Sequence, residues 1–141
     1  MSPATGEDPE GFGPILRSSP VLEALGGFMS RGEGPDLEIG LRVGPHHLNA
    51  RGGLHGGVIA TLLDVATGYM LVAQSGGRRR VTARLTVDYR SGAQPGEWLQ
   101  VYLDRAEEES RKTLAYARLM AGERLVAEAN VLFIDAPPAR D

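Results

Sequence analysis

LHGGVIATLLDVATGYMLVA, residues 54–73, is the longest apolar stretch of the chain. Gly56-Gly57 stands near its start and Gly76-Gly77 follows it, so it reads as one helix closed by glycine. Val58, Ile59, Leu62, Leu63, Val65, Ala66, Tyr69, Met70, Val72 and Ala73 occupy every side of that helix instead of one stripe. Such a helix needs cover nearly all round. Its length matches a membrane span, but Asp64 sits at its middle, with His55, Thr61 and Thr67 nearby. A carboxylate at a bilayer centre is costly, so burial inside a folded protein is the reading adopted.

Outward from the helix, the pattern is mostly strand. Leu37, Ile39, Leu41 and Val43 alternate with Glu38, Gly40 and Arg42, a half-buried strand that Gly44-Pro45 ends. Residues 46–53 are then a loop containing Asn49. Earlier, Ser19-Pro20 opens a short helix through Val21, Leu22 and Leu25, stopped by Gly26-Gly27. After the long helix, Val81, Ala83, Leu85, Val87 and Tyr89 alternate with polar residues, which puts Thr82 on the face opposite Val81 and Ala83. Further strands are expected near residues 99–104, 114–120 and 125–134, with a charged hairpin tip at 107–112. The order is strand, long apolar helix, four strands in meander. A curled antiparallel sheet wrapped around one long buried helix, an α+β fold, satisfies it. One sheet covers only one side of that helix, and a second copy of the chain is the simplest cover for the rest. The expected organisation is a flexible leader over residues 1–18, a single domain over 19–135 and a tail over 136–141.

Composition narrows the function. The 141 residues are 42% hydrophobic and 23% charged, enough apolar side chain to offset the entropy of ordering. A net charge of -3 supplies no basic field for nucleic acid, and 6% aromatics make no stacking platform. The absence of cysteine excludes disulfides, thiolate nucleophiles and cysteine zinc sites. No signal-peptide pattern opens the chain, and a cytoplasmic location is the expectation.

The chemistry concentrates around the start of the helix. The loop Leu48-Asn49-Ala50-Arg51-Gly52-Gly53-Leu54-His55 leads directly into Gly56-Gly57. A helix N-terminus offers unpaired N–H groups and partial positive charge, and glycine lets a ligand approach the backbone. Such a place holds a phosphate or polarises a carbonyl oxygen; equally, tight turns use glycine with no ligand involved. Asp64 lies about two and a half turns beyond His55. An ionised carboxylate on an apolar helix is paired, hydrated or functional. On the residues alone, a structural acceptor for a neighbouring strand and a reacting group are both open. Arg78-Arg79-Arg80 reads as a solvated turn or as a phosphate contact. His46-His47 with His55 does not converge on one centre, so no metal site is expected.

Asn49, His55-Gly56-Gly57 and Asp64 at these spacings, followed by Val81-Thr82 and Thr86-Val87-Asp88-Tyr89, resemble the hotdog-fold acyl-CoA thioesterases of the phenylacetate-pathway (PaaI-like) type. The resemblance covers about residues 37–134. It implies an acyl-CoA substrate hydrolysed to free acid and coenzyme A with no metal or redox cofactor. In that scheme the Gly56 amide stabilises the oxyanion. Asp64 is the general base on a water, or else the nucleophile, and Thr82 helps hold the water. Asn49 positions water or the leaving sulfur, and His55 orients the loop and the carbonyl. Arg79 and Arg80, with Arg90, are the candidates for the coenzyme A phosphates. The resemblance also implies a homodimer whose sites take residues from both subunits, pairing further into a tetramer. Gly68 departs from related branches, which carry a hydroxyl there. Two rival functions remain at this stage: a hotdog hydratase or dehydratase on acyl chains, and a non-enzymatic acyl-CoA binding module. The acyl group itself is not readable.

Overall fold

The structure, a computed structural model, describes residues 8–137. Residues 1–7 of the expected leader and 138–141 of the expected tail lie outside the described residues. Among the described residues there are two α-helices, α1 (Pro20–Leu25) and α2 (Gly56–Gln74). The strands are β1 (Gly13–Pro14), β2 (Phe28–Arg31), β3 (Glu38–Arg42), β4 (Arg80–Tyr89), β5 (Trp98–Glu109), β6 (Lys112–Ala121) and β7 (Arg124–Asp135). They form one sheet in the order β1-β2-β3-β5-β6-β7-β4, antiparallel throughout.

The helices follow their sequence signals. Ser19 caps α1 by accepting the Leu22 N–H, Pro20 takes the first turn, and Gly26 ends it at φ +70°. The α2 chain reverses through Gly76 and Gly77, both at positive φ, with the Gly77 N–H donating to the Val72 carbonyl. The sheet curls round α2. Alternate residues of β6 (Thr113, Ala115, Ala117, Leu119) and Ala127, Ala129, Val131 and Phe133 of β7 are buried. Four of these are alanines, which lets the helix lie close against the middle of the sheet. Register shifts between Leu103 and Arg105 and between Leu119 and Met120 bend the strands around it. The helix buries Val58, Ile59, Leu62, Leu63, Ala66, Thr67, Met70 and Leu71, while Val65, Tyr69 and Val72 on its other side stay half-buried. The single chain therefore covers one side of α2.

Four features differ from the sequence reading. The four strands after α2 are not one meander: β4 pairs with β7 at the end of the sheet and β5 pairs with β3, so only β5, β6 and β7 follow one another as neighbours. The strands β1 and β2 were not anticipated, because runs of two and four residues show no alternation to detect. Part of the expected leader is docked: Asp8 pairs with Arg42 at 2.8 Å, Phe12 sets its edge on Trp98, and the Ile15 N–H donates to the Phe28 carbonyl. The charged hairpin tip is also narrower than 107–112, since β5 runs through Glu109 and β6 resumes at Lys112, with Ser110 at φ +56° in the turn.

Gly40 in β3 is fully enclosed. A methyl group there would overlap the Trp98 ring and lie 2.7 Å from the Leu99 carbonyl oxygen, and backbone cannot yield. Gly40→Ala is expected to destabilise the fold by about 2 kcal/mol or more, read as a lower urea midpoint. An unchanged midpoint would show that Trp98 has another place to go.

Candidate active site

Asp64 projects from α2 toward the start of β4, where the Thr82 hydroxyl donates to its Oδ1 at 2.7 Å. This contact depends on an irregularity the alternation pattern hid. Thr82 lies opposite Phe133 and Arg84 opposite Leu132, so Ala83 is an extra residue, a β-bulge. Directly opposed residues share a face, and Phe133 is buried against the helix. The bulge switches the parity of β4. Arg80 and Thr82 before it, and Leu85, Val87 and Tyr89 after it, all reach the concave side, while Val81 pairs with Ile134 on the outer face. Val81 is accordingly 44% exposed and Ile134 39%. Alternation put Thr82 opposite Val81 and Ala83; the register keeps it opposite Val81, and the bulge at Ala83 brings it onto the same face as Leu85, Val87 and Tyr89.

A cleft of about 820 Å³ opens beside the pair, lined by Asp64, Gly68, Tyr69, Thr82 and Phe133 among others. The cleft is therefore largely apolar, with a carboxylate and a hydroxyl at one place on its wall.

The loop before α2 is organised around its own polar groups. Asn49 Oδ1 accepts the Arg51 and Gly53 N–H groups at 2.9 and 3.3 Å, and the Asn49 main chain closes the turn with Gly52 and Gly53. The carboxamide oxygen is thus committed to the loop, and its NH₂ is the end left to donate. His55 is the N-cap of α2: its Nδ1 accepts the Gly57 N–H at 2.9 Å, which puts the ring proton on Nε2. Tyr89 from the far end of β4 donates to the Gly56 carbonyl at 2.8 Å. The Gly56 N–H, first of the helix, has no acceptor among the described residues.

His47 was weighed in the sequence only as a metal ligand, beside His46 and His55, and not as a structural link. It is 1% exposed. Its Nδ1 accepts the Gly44 N–H at 2.9 Å, its Nε2 donates to the Gly26 and Leu25 carbonyls, and its own carbonyl accepts the His55 N–H at 2.9 Å. It ties the end of α1 to the head of α2. Two adjacent histidines carry no signal that says which one turns inward.

Gly56 and Asp64 are eight residues apart on one helix, about 12 Å along its axis. Asn49, His55 and Gly56 do not line the Asp64 cleft. One chain thus brings together Asp64 with Thr82, and separately Asn49 with His55 and Gly56. Of the arginines expected at a phosphate, Arg80 is buried, its side chain 3% exposed, and held by Glu108, Thr113 and Ser75. Arg78 is bound to Asp135 and Glu108. Arg90 is paired with Glu128 at 3.0 Å and lies away from the cleft. Arg79 and, unexpectedly, Arg17 line the cleft with no partner among the described residues. No group of three or more His, Asp or Glu side chains converges among the described residues.

A curled antiparallel sheet around one helix, with a carboxylate on that helix and glycines at its head, defines a hotdog protein. Residues 51–116 match the Thioesterase superfamily. The Pseudomonas aeruginosa protein named "Putative esterase PA0474" is 41% identical over 127 residues, 89% of this chain and 95% of that one. The chain belongs to the thioesterase superfamily. Among solved structures, a mutant of the phenylacetic acid degradation protein PaaI from Thermus thermophilus shares the fold at TM-score 0.70 and 19% identity, over 84% of this chain and 100% of that one. The BH2602 protein from Bacillus halodurans, solved with CoA, aligns at TM-score 0.63 and 27% identity, over 69% of this chain and 65% of that one.

Burial holds the His47 ring below the ordinary histidine range, its carbonyl partners at Gly26 and Leu25 pulling the other way and His46 adding to the depression. The folded protein thus keeps His47 neutral where the unfolded chain, titrating near about 6.5, takes up a proton. Stability is full above that value and falls as pH drops through it, by up to about 1.4 kcal/mol per pH unit. Tm is expected to decline from pH 7.5 to 5.5, and His47→Gln to flatten that decline. An equal decline in the variant would assign it to other groups.

Proposed function

We propose that this protein is an acyl-CoA thioesterase that uses water to cleave its substrate into a carboxylic acid and free coenzyme A. The observation that carries the reading is the 2.7 Å hydrogen bond between Thr82 and Asp64 on the wall of an apolar cleft. Membership of the thioesterase superfamily supports a hydrolytic reaction on an ester or thioester. The presence of CoA in the Bacillus halodurans neighbour supports coenzyme A as the carrier.

Thr82 holds Oδ1 of Asp64 and leaves Oδ2 to a water. As the water oxygen bonds to the thioester carbon, Asp64 takes its proton. The carbonyl oxygen gains the negative charge and receives the Gly56 N–H, where the helix N-terminus adds its partial positive charge. Collapse of the tetrahedral intermediate breaks the carbon–sulfur bond. The departing thiolate takes the proton from Asp64, which returns to the carboxylate. The Asn49 NH₂ donates to the substrate or to the leaving sulfur, and His55 keeps the head of α2 in shape through Gly57. Water, one carboxylate and one helix terminus suffice, and no metal or redox group is called on. Arg79, which like Arg17 lines the cleft with no partner among the described residues, is the candidate for a coenzyme A phosphate.

One carbonyl cannot reach both Asp64 and the Gly56 of the same helix across about 12 Å. The oxyanion donor is therefore the Gly56 amide of a second copy. Two features favour that arrangement: the uncovered side of α2, and β4, a ten-residue strand at the end of the sheet with one edge unpaired. We take the functional unit as a homodimer with two shared sites, with further pairing into a tetramer.

Asp64→Asn is expected to lower kcat/KM for acyl-CoA hydrolysis about 1000-fold, measured by thiol release, with Tm preserved. Full activity in the variant would sink the mechanism. Hydration of an enoyl-CoA without thiol release would point to a hydratase, and tight acyl-CoA binding without turnover to a binding module. Gly56→Pro tests the donor, since proline is tolerated at a first helical position and His55 already has the extended backbone that precedes it. Each variant alone should be inactive. Subunits of the two, mixed and re-equilibrated, should recover roughly a quarter of the wild-type activity, from the one intact site per heterodimer. No recovery would place both groups in one chain.

A further inference from the structure

Gly68 stands in the interior of α2, where only proline is less favourable than glycine. The fold does not require it. It is absent from the positive-φ glycines, and a Cβ there would meet nothing nearer than the Phe133 ring, at 3.6 Å, an ordinary contact. Gly40, where an added methyl collides with backbone, is the opposite case. Gly68 lies one turn beyond Asp64, about 6 Å along the helix, and lines the same cleft, with Phe133 facing it and Tyr69 beside it. Alanine would fit and would strengthen the helix, so the gap serves something other than the packing of this chain.

We propose that Gly68 sets the width of the acyl site, and that the gap between it and Phe133 admits an acyl group with a ring or a branch close to its carbonyl. The proposal rests on the thioesterase reading of this cleft and names the substrate class within it. Distance along the helix supplies the position: the base acts at the carbonyl carbon, and the gap lies one turn away, within reach of the next few carbons. The walls there are an aromatic ring and bare backbone, which suit a flat or thick apolar group and give no polar partner. A straight chain would pass the gap without filling it.

Gly68→Ala tests this with a variant that should fold better than the parent. Its Tm should rise by roughly 2–4 °C. Its kcat/KM for benzoyl-CoA and cyclohexanecarbonyl-CoA should fall about tenfold or more relative to hexanoyl-CoA. A second readout needs no turnover: benzoate, as a free acid, should raise the Tm of the wild type and lose that effect in the variant, while hexanoate keeps its own. Unchanged ratios with unchanged acid-induced shifts would overturn the proposal. So would a lower Tm with loss of the oligomer, which would assign the gap to packing between copies. A wild type that hydrolyses no acyl-CoA, yet shows the acid-induced shift and its loss on Gly68→Ala, would sink the thioesterase reading and sustain the width determinant.

Discussion

A carboxylate on an apolar helix is the constraint to which the rest of the structure answers. Asp64 cannot face the sheet that buries Leu62, Leu63 and Ala66, because an ion there would lose water and gain no partner. It cannot be left wholly to solvent either, since its neighbours on that side, Val65 and Gly68, border an apolar cleft. The solution is a single hydroxyl brought in from the edge strand at 2.7 Å. One oxygen is restrained and the other left available, an arrangement that suits the reacting role proposed for Asp64.

That solution needed a defect in the strand. β4 has two demands on its concave side: Leu85, Val87 and Tyr89 must face α2 and its head, and Thr82 must face Asp64. The first three sit at odd positions and the last at an even one, so a regular strand can meet one demand only. Ala83 absorbs the difference as a bulge. The same shift turns Arg80 inward, where Glu108, Thr113 and Ser75 receive it. The basic run after α2 is thereby mostly structural: Arg78 and Arg80 fasten the end of β4 to β5, β6 and β7, and Arg79 alone is left over.

The division between what could be read in the residues and what could not follows the range of the interactions. The place of β4 beside β7 is set by pairing between distant strands and did not show in the residues, which suggested a four-strand meander; the long helix, its glycine ends and the alternating strands after it are local patterns, and they were legible. The direction of Thr82 was not, because a bulge is set by the partner strand and leaves no mark in the alternation of its own. β1 and β2 were too short to carry a period. The structural link made by His47 was invisible for another reason: its role is to join Gly26, Gly44 and His55, and no pattern along the chain relates those three. The arginines of residues 78–80 stayed open between a solvated turn and a phosphate contact, since the carboxylates that hold Arg78 and Arg80 come from residues 108 and 135.

On the proposed mechanism, the helix also explains why a self-contained domain would need a second copy. Its N-terminus offers the unpaired Gly56 amide, and its middle offers the carboxylate, but a rigid rod keeps them about 12 Å apart. Shortening that distance within one chain would require breaking α2 between them, which would remove the N-terminal dipole that makes the amide useful. Two copies placed so that the head of one helix meets the middle of the other escape the conflict, with each helix left intact. The uncovered side of α2 and the open edge of β4 are then not defects of the fold. Under the proposed mechanism they are the surfaces through which one sequence would supply both halves of a site that no single helix can hold.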